Sequence, residues 1–592
     1  MYQVSRFENK RGFGLIDVIV SIGIIAVLFG GIFLVYFSIL DLVNNIESRT
    51  AASEVLNGQI EVIRNLAYSD VGLQGGAPAG VIPQQKTLQN GDFIFVVNTV
   101  IRNIDDPFDG TLGSNPNDTS PADYKLVEFK ISCPNCKKFV PLSMTTTVAP
   151  KNLEGASTAG SLFVNVFDAN GLPVPEASVH VVNSIVAPTI NLTDATNNNG
   201  ILQLVGVPTS SQSYQIDVSK SGYSAEKTYA IGDPLNPNPV KPHATVAVGQ
   251  VTQISFAIDK LGAIRTRTSD YLCVPIANKN FSVKGSKLIG TTPDVYKFST
   301  SSTTGIDGEK IINGVEWDNY SFTLADTGSD ILGTIPFTPA NLSPSSTLDF
   351  RFVLRPAAPE SLLVTVKDAA TGAILPEATV TLSKAGFSKT LITGHNYLTQ
   401  TDWSSSNYDS QDGGVETEAV PGRITLTQNG GIYSTTTISW LVSKTFDLGG
   451  SSSTFYSISW SPTSQPAQTG AGSLQIQLAA NNDNVTWSFI GPDGTDDTFY
   501  TISSSTINQI HNGNRYLRYR VYMQTDDENF TPQLNDLTIE FNGVCVPLSQ
   551  VLFNNLSAGD YMITVNANGY TEGSSSVAIS GNWQQIEVLM YH

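Results

Sequence analysis

The sequence predicts a multidomain chain. A long N-terminal transmembrane α-helix carries a small α+β head, all-β sandwich domains follow, and a further β domain interrupts the last of them. Three observations predict this. An apolar run near the N-terminus is long enough to cross a bilayer. A strand–turn–strand pattern recurs three times, with a period of about 90–100 residues that suits whole domains and not a solenoid. The third copy is split by about 150 residues that carry strands of their own, too many for a loop in one compact domain.

The length of 592 residues predicts about three to five domains at roughly 100–200 residues each. An apolar fraction of 41% supplies real cores, and 49 Gly with 30 Pro are close to average, so the chain is neither collagenous nor broadly disordered. The net charge of −19 argues against nucleic acid as a partner, since a binder shows a basic face. Five His and four Cys leave little material for metal chemistry, and no metal or cofactor is expected. His-Glu-x-x-His, Gly-x-Ser-x-Gly and Walker motifs are all missing, and the histidines have no ligand spacing, so no enzyme is expected.

Residues 13–40 read FGLIDVIVSIGIIAVLFGGIFLVYFSIL, with a single charged side chain, Asp17. About 20 apolar residues span a bilayer. Lys10 and Arg11 before the run place the N-terminus in the cytoplasm. Leu42, Val43, Ile46, Val55, Leu56, Ile60, Ile63 and Leu66 then recur at helical spacing, extending one rod from Phe13 to about Ser69, roughly 85 Å long. A carboxylate at the depth of Asp17 costs on the order of 2.5–3.5 kcal/mol on insertion scales, which marks it as functional; the bland alternative places it near the interface.

Lys10-Arg11-Gly12-Phe13-Gly14-Leu15-Ile16-Asp17-Val18 resembles the leader and mature start of type IV pilins and pseudopilins. The resemblance implies cleavage by prepilin peptidase between Gly12 and Phe13, N-methylation of Phe13, and a filament-assembly role for Asp17. At that position the family carries Glu, which pairs with the terminal amine of a neighbouring subunit. Such a pair gives register more than net stability. Asp is one methylene shorter than Glu, and Gly14 stands where the family has a small hydroxyl residue. Residues 1–12 are then the leader, 13–70 the pilin helix and 71–153 a minor-pilin head.

For that head the sequence predicts three antiparallel strands, at 92–104, 123–133 and 138–150. Cys133-Pro-Asn-Cys136 joins the last two. Zinc would need a second ligand pair and a thioredoxin-type site a helix start, which leaves a local disulfide or free thiols.

Three repeats follow, at 158–260, at 261–357, and at 358–395 plus 544–592. They open with segments such as SLFVNVFDANGLPVPEASVHVV and LLVTVKDAATGAILPEATVTL and close on segments such as SYQIDVSKSGY and GDYMITVNANGY. Short strands broken by Gly, Asn and Asp turns predict β-sandwiches. The trio resembles carboxypeptidase regulatory-like, transthyretin-like domains. Some relatives form Lys–Asn isopeptide bonds, but Val565 and Val218 stand where those keep the assisting Glu, so Lys367 reads as solvent-facing. Cys273 and Cys545 both lie in Cys-Val-Pro, through repeat ancestry or through a cross-link.

The inserted segment 396–543 resembles a galactose-binding-like jelly roll, which implies carbohydrate on loops or a concave face. Trp440, Trp460 and Trp487 alternate with polar residues and read as core. Trp403, in DWSSSNYDSQDGG, is the candidate for an exposed stacking residue. Asp493, Asp496 and Asp497 suit either calcium or a plain acidic turn.

The expectation is therefore a minor pilin or pseudopilin. Its partners are other pilin subunits, prepilin peptidase, the bacterial inner membrane before assembly, and surface carbohydrate. Its place is the inner membrane, then the cell surface or pilus. The alternatives are a surface lectin on an uncleaved signal anchor, or a pseudopilin of a secretion or DNA-uptake system.

Overall fold

The computed structural model describes residues 15–108, 110–112, 114–115, 118, 120–150 and 158–592. The expected fold class is the observed one. One long apolar helix is followed by all-β sheets packed as sandwiches, and no sheet closes into a barrel among the described residues. The chain divides into two compact units, residues 1–259 with 288–295, and residues 260–287 with 296–592.

The first unit begins with helix α1 (Leu15–Arg64). It stops short of the expected Ser69: the Asn65 side chain donates to the Glu61 carbonyl (2.8 Å), and Leu66 N turns to the Ile63 carbonyl (3.1 Å). Ala52, Leu56, Ile60 and Ile63 recur on one helix face and bury against Phe95, Val97, Ile101, Val127, Phe129 and Ile131. The sheet under them has four strands, not three: β1 (Gln85–Asn90), β2 (Phe93–Ile104), β3 (Tyr124–Ser132) and β4 (Leu142–Val148), antiparallel in that order. The unforeseen strand, QKTLQN, is polar and mostly exposed, so it carries no hydrophobic alternation. It reaches β2 through a two-residue turn in which Gly91 takes a positive φ of 59°. Lys125 turns inward from β3, and its Nζ donates to the carbonyls of Tyr68 (2.7 Å) and Val71 (2.6 Å), tying the chain after the helix to the sheet. Burial pushes its pKa down to about 8, against a small opposing effect of Asp70.

A first sandwich completes this unit. One sheet holds Gly160–Phe167 between Val251–Ala257 and Ile201–Val207; the other holds Ser178–Asn183 and Ser210–Ser219. Arg102 of β2 makes a two-pronged ion pair with Asp194 (2.8 and 2.6 Å), and Asn103 Nδ2 donates to the Val205 carbonyl (2.8 Å). The head and the first sandwich are thus fastened by a charge-assisted pair and a neutral hydrogen bond beside it.

The second unit holds two more sandwiches and a larger two-sheet domain. The three sandwiches share one topology. In each, the first strand lies parallel to the last: Gly160–Phe167 with Val251–Ala257, Gly262–Ser269 with Thr347–Pro356, and Ser361–Asp368 with Trp583–Met590. They also share three polar devices. An Asp at the end of the first strand (Asp168, Asp270, Asp368) accepts two backbone N–H groups of the following turn. A buried Thr (Thr196, Thr304, Thr393) accepts the N–H of Ala177, Lys279 or Ala378 at 2.9, 3.0 and 2.9 Å. A buried Tyr donates its hydroxyl back to an upstream carbonyl: Tyr214 to Pro208, Tyr320 to Glu316 (2.6 Å) and Tyr561 to Ser557 (2.9 Å). These tyrosines brace the strand corner as a tyrosine corner does.

In the larger domain, Asn396–Gln400 pairs with Asp536–Asn542, beside Thr454–Ser461. The facing sheet is built on Tyr516–Met523, flanked by Ser439–Ser443 and Leu474–Asn481. One core, including Trp460, Ile476, Tyr519 and Ile539, lies between them. Because the first and last strands of this segment pair with each other, its two ends meet at one point. Lys367, expected in solvent, is largely covered: its Nζ pairs with Glu587 (2.6 Å) and lies 3.8 Å from the Phe337 ring centre.

Thr393 Oγ1 accepts from Ala378 N and donates to the Leu375 carbonyl (2.9 Å) in a fully buried site. Thr393→Val strands both groups and is expected to destabilise the second unit by about 1–3 kcal/mol in urea unfolding. Unchanged unfolding would show that these two hydrogen bonds do not stabilise the sandwich.

Candidate functional site

The first candidate site is the helix. Gly12 and Phe13 lie outside the described residues; Asp17 lies on the first turns of α1, and its side chain is not among those described. From Val18 to Leu40 the apolar side chains are exposed on every side of the helix, Val27 at 76% and Leu34 at 72%. This stretch is long and apolar enough to cross a membrane. Its length is roughly 34 Å at 1.5 Å per residue, against about 30 Å of hydrocarbon. The same helix changes character at Asp41, which pairs with Lys138 of the head (3.1 Å).

All four cysteines are paired. Cys133–Cys136 closes the turn between β3 and β4, with Cα atoms 5.4 Å apart. Cys273–Cys545, also at 5.4 Å, joins positions 272 residues apart. It links the loop after Gly262–Ser269 to the segment by which the chain returns from the larger domain into the third sandwich. The sequence left this pair open, because only the fold brings the two Cys-Val-Pro segments together.

The structure corrects Trp403. Its side chain is fully buried and its Nε1 donates to Tyr519 Oη (2.9 Å), which in turn donates to Gln400 Oε1 (2.5 Å). Asp402 organises the loop by accepting from Ser404 N (2.9 Å) and Asn407 Nδ2 (2.8 Å), and the loop closes with the indole inward. A sugar cannot stack there. Of the three tryptophans read as core, Trp460 is core, whereas Trp440 and Trp487 are half-exposed. Tyr516–Met523 explains this: Leu517, Tyr519, Val521 and Met523 face the core, and Tyr516, Arg518, Arg520 and Tyr522 face outward. Arg518 lies 4.6 Å from the Trp487 ring centre, and Arg520 lies 5.3 Å from Trp440 and 4.2 Å from Phe489. This arginine–aromatic face is the accessible one, and the alternation RYLRYRVYM was its sequence signal.

In GPDGTDD, Asp493 Oδ1 accepts from Thr498 Oγ1 (2.5 Å), Thr495 Oγ1 (2.8 Å) and Thr495 N (2.9 Å). Those bonds, Thr498 first, hold its carboxyl below the usual range. The segment is an Asp-organised turn. Among the described residues no group of three His, Cys, Asp or Glu is disposed to hold a metal.

A buried histidine stands where the chain enters the larger domain. The His395 side chain is 4% exposed; Nδ1 meets Glu540 Oε1 (2.9 Å) and Nε2 meets Glu377 Oε2 (2.7 Å). Its ring stacks on Tyr456 at 3.7 Å. Tyr397 and Ser457 also donate to Glu540 (3.1 and 2.7 Å), and Tyr456 donates to Glu377 (2.8 Å). Burial alone would lower the His395 pKa, but the bonds to Glu540 and Glu377 outweigh it and raise the value. The imidazolium is therefore the state this node stabilises. Its contribution is fully present below the unfolded pKa of about 6.5 and is lost as the pH rises through the higher folded value. The thermal stability of the second unit is expected to fall over that rise, and His395→Gln to remove this part of the pH dependence. A wild-type profile superimposable on that of the variant would contradict it.

No family model matches the chain, and no curated protein matches it. Among solved structures it is similar to the Bacillus anthracis TIE protein, at 12% identity and a TM-score of 0.15, over 86% of this chain and 73% of that one. It is similar to a streptococcal ancillary pilin at 11% identity and a TM-score of 0.17, over 38% of this chain and 75% of that one. It is also similar to GBS52, the minor pilin of Streptococcus agalactiae, at 12% identity and a TM-score of 0.16, over 34% and 99%. At these TM-scores the likenesses carry no weight for the function of this chain.

Proposed function

We propose that the chain is a minor pilin or pseudopilin of the type IV class, with no catalytic role. Prepilin peptidase cleaves between Gly12 and Phe13, and Phe13 is methylated. The helix resides in the inner membrane until assembly places it in a filament core, where Asp17 meets the terminal amine of a neighbouring subunit. The β domains are then displayed at the cell surface for adhesion. Roughly 440 residues beyond the head would crowd a filament if every subunit carried them, which favours sparse or terminal incorporation.

The observation that carries this reading is the division of α1. Its first half is apolar and uncovered on all sides, while its second half is buried against the head through Ala52, Leu56, Ile60 and Ile63. A plain membrane anchor needs only the first property; a subunit whose head must sit at a fixed distance from a filament core needs both. For contact with surface carbohydrate, Trp440 and Trp487 with their arginines take the place expected of Trp403.

Mass spectrometry of the N-terminus in the chain purified from its own host is expected to find Phe13 first, carrying one methyl group. Gly12→Glu is expected to leave Met1 in place. Intact Met1 in the wild-type chain would overturn the pilin reading in favour of an uncleaved surface anchor.

A further inference from the structure

In an acidic chain of 52 Asp and Glu against 33 Lys and Arg, partly buried cations are expected to find carboxylates. In the second unit most do: Lys279 with Asp326, Lys287 and Lys297 with Glu316, Lys367 with Glu587, and Arg518 with Asp409. Several half-buried cations lack one, Arg351, Lys384, Arg423 and Arg520 among them, and two of these exceptions line the same cleft. Arg355, from Thr347–Pro356, and Lys389, from Phe387–Ile392, share a cavity of about 360 Å³ with Asn396, Tyr397 and Asn554.

Neither cation makes an ion pair among the described residues. The Arg355 guanidinium is met by neutral oxygen alone, the Pro356 carbonyl (3.4 Å) and the Asn554 amide oriented to accept from both Nη atoms (2.5 and 3.0 Å). Asp330 lies opposite Arg355 across the strand pair, but its Oδ2 is taken by Ala358 N (3.0 Å) and Ser361 Oγ (2.8 Å). Burial first, and then Arg355, push the Lys389 pKa down. Asn396 accepts from Tyr397 N through Oδ1 (2.8 Å), while its Nδ2 is buried without a partner. Among the described residues no carboxylate lines the cleft. His395 on the same wall is engaged by Glu377 and Glu540, so those acids are committed away from Arg355 and Lys389.

We infer that this cleft binds an organic carboxylate of monosaccharide size, an acidic sugar, with Arg355 and Lys389 receiving the carboxylate. Two neighbouring cations without a counter-ion are costly until an anion joins them, and hydrogen bonds to a charged group are the strong ones. The size of the cavity falls in the range of small-molecule sites, roughly 300–1,000 Å³, and exceeds what a bare inorganic anion fills. Tyr397 and the apolar wall give a sugar ring a surface beside the charge. This binding stands whether or not the N-terminus is cleaved, so the two are tested separately.

The full chain in detergent micelles is titrated calorimetrically with glucuronate, inorganic phosphate and galactose. Glucuronate is expected to bind more tightly than either of the others. Lys389→Gln and Arg355→Gln are expected to weaken it by about tenfold or more, the loss of one hydrogen bond to a charged group. Lys389→Arg, which keeps the charge, is expected to retain binding, and unchanged thermal unfolding of Lys389→Gln establishes that its fold is intact. Absence of glucuronate binding, equal binding of phosphate or galactose, or glucuronate binding indifferent to Lys389→Gln in a folded chain would overturn the assignment.

Discussion

The uncovered first half of α1 is the constraint on which the rest of the structure depends. Burying one large apolar side chain is worth about 1.5–3 kcal/mol, so leaving the stretch from Val18 to Leu40 in water would cost tens of kcal/mol. That exceeds the net stability of an ordinary domain, about 5–15 kcal/mol. The helix therefore belongs in hydrocarbon or among other helices. Everything from Asp41 onward must fold outside that environment, and the polar, Ser/Thr/Asn-rich β domains suit that place. The head makes the transition by covering Ala52, Leu56, Ile60 and Ile63, so that one continuous helix serves two surroundings.

Beyond the head, the architecture accommodates a whole domain inside another through two local arrangements. Pairing of Asn396–Gln400 with Asp536–Asn542 brings the ends of the larger domain together, so the third sandwich sees a short connection and not an open loop. His395, with Glu377 and Glu540, fastens the same point by charge, and Cys273–Cys545 fastens the return segment covalently to the second sandwich. In the chain-entropy view, a cross-link closing so long a loop acts strongly on the unfolded chain. The unpaired cations Arg355 and Lys389 lie beside this junction, which sets the anion cleft in a well-braced part of the unit.

Much of this was legible in the sequence, and for physical reasons. An apolar run of membrane length, helical spacing at Leu56, Ile60 and Ile63, and period-two alternation in Tyr124–Ser132 are local signals that need no knowledge of partners. What escaped depends on partners distant in sequence. The first strand of the head is polar and exposed, and only pairing with Phe93–Ile104 makes it a strand. Trp403 sits in a loop of turn-forming residues, yet Tyr519, far along the chain, supplies a buried hydroxyl for its indole. Trp440 and Trp487 look like core by spacing and become surface because the opposite face of the sheet is the packed one. The buried Thr and Tyr devices of the sandwiches lay within the repeats, but their hydrogen bonds cross strands that no single-sequence periodicity connects.

The central claim is that α1 is held in a filament while the β domains are displayed outside. The most direct measurement is the distribution of the chain after filaments are sheared from intact cells, followed by an antibody against the β domains. The chain is expected in the sheared filament fraction, in small amount relative to the bulk subunit. A chain confined to the membrane fraction of cells that shed abundant filaments would contradict it.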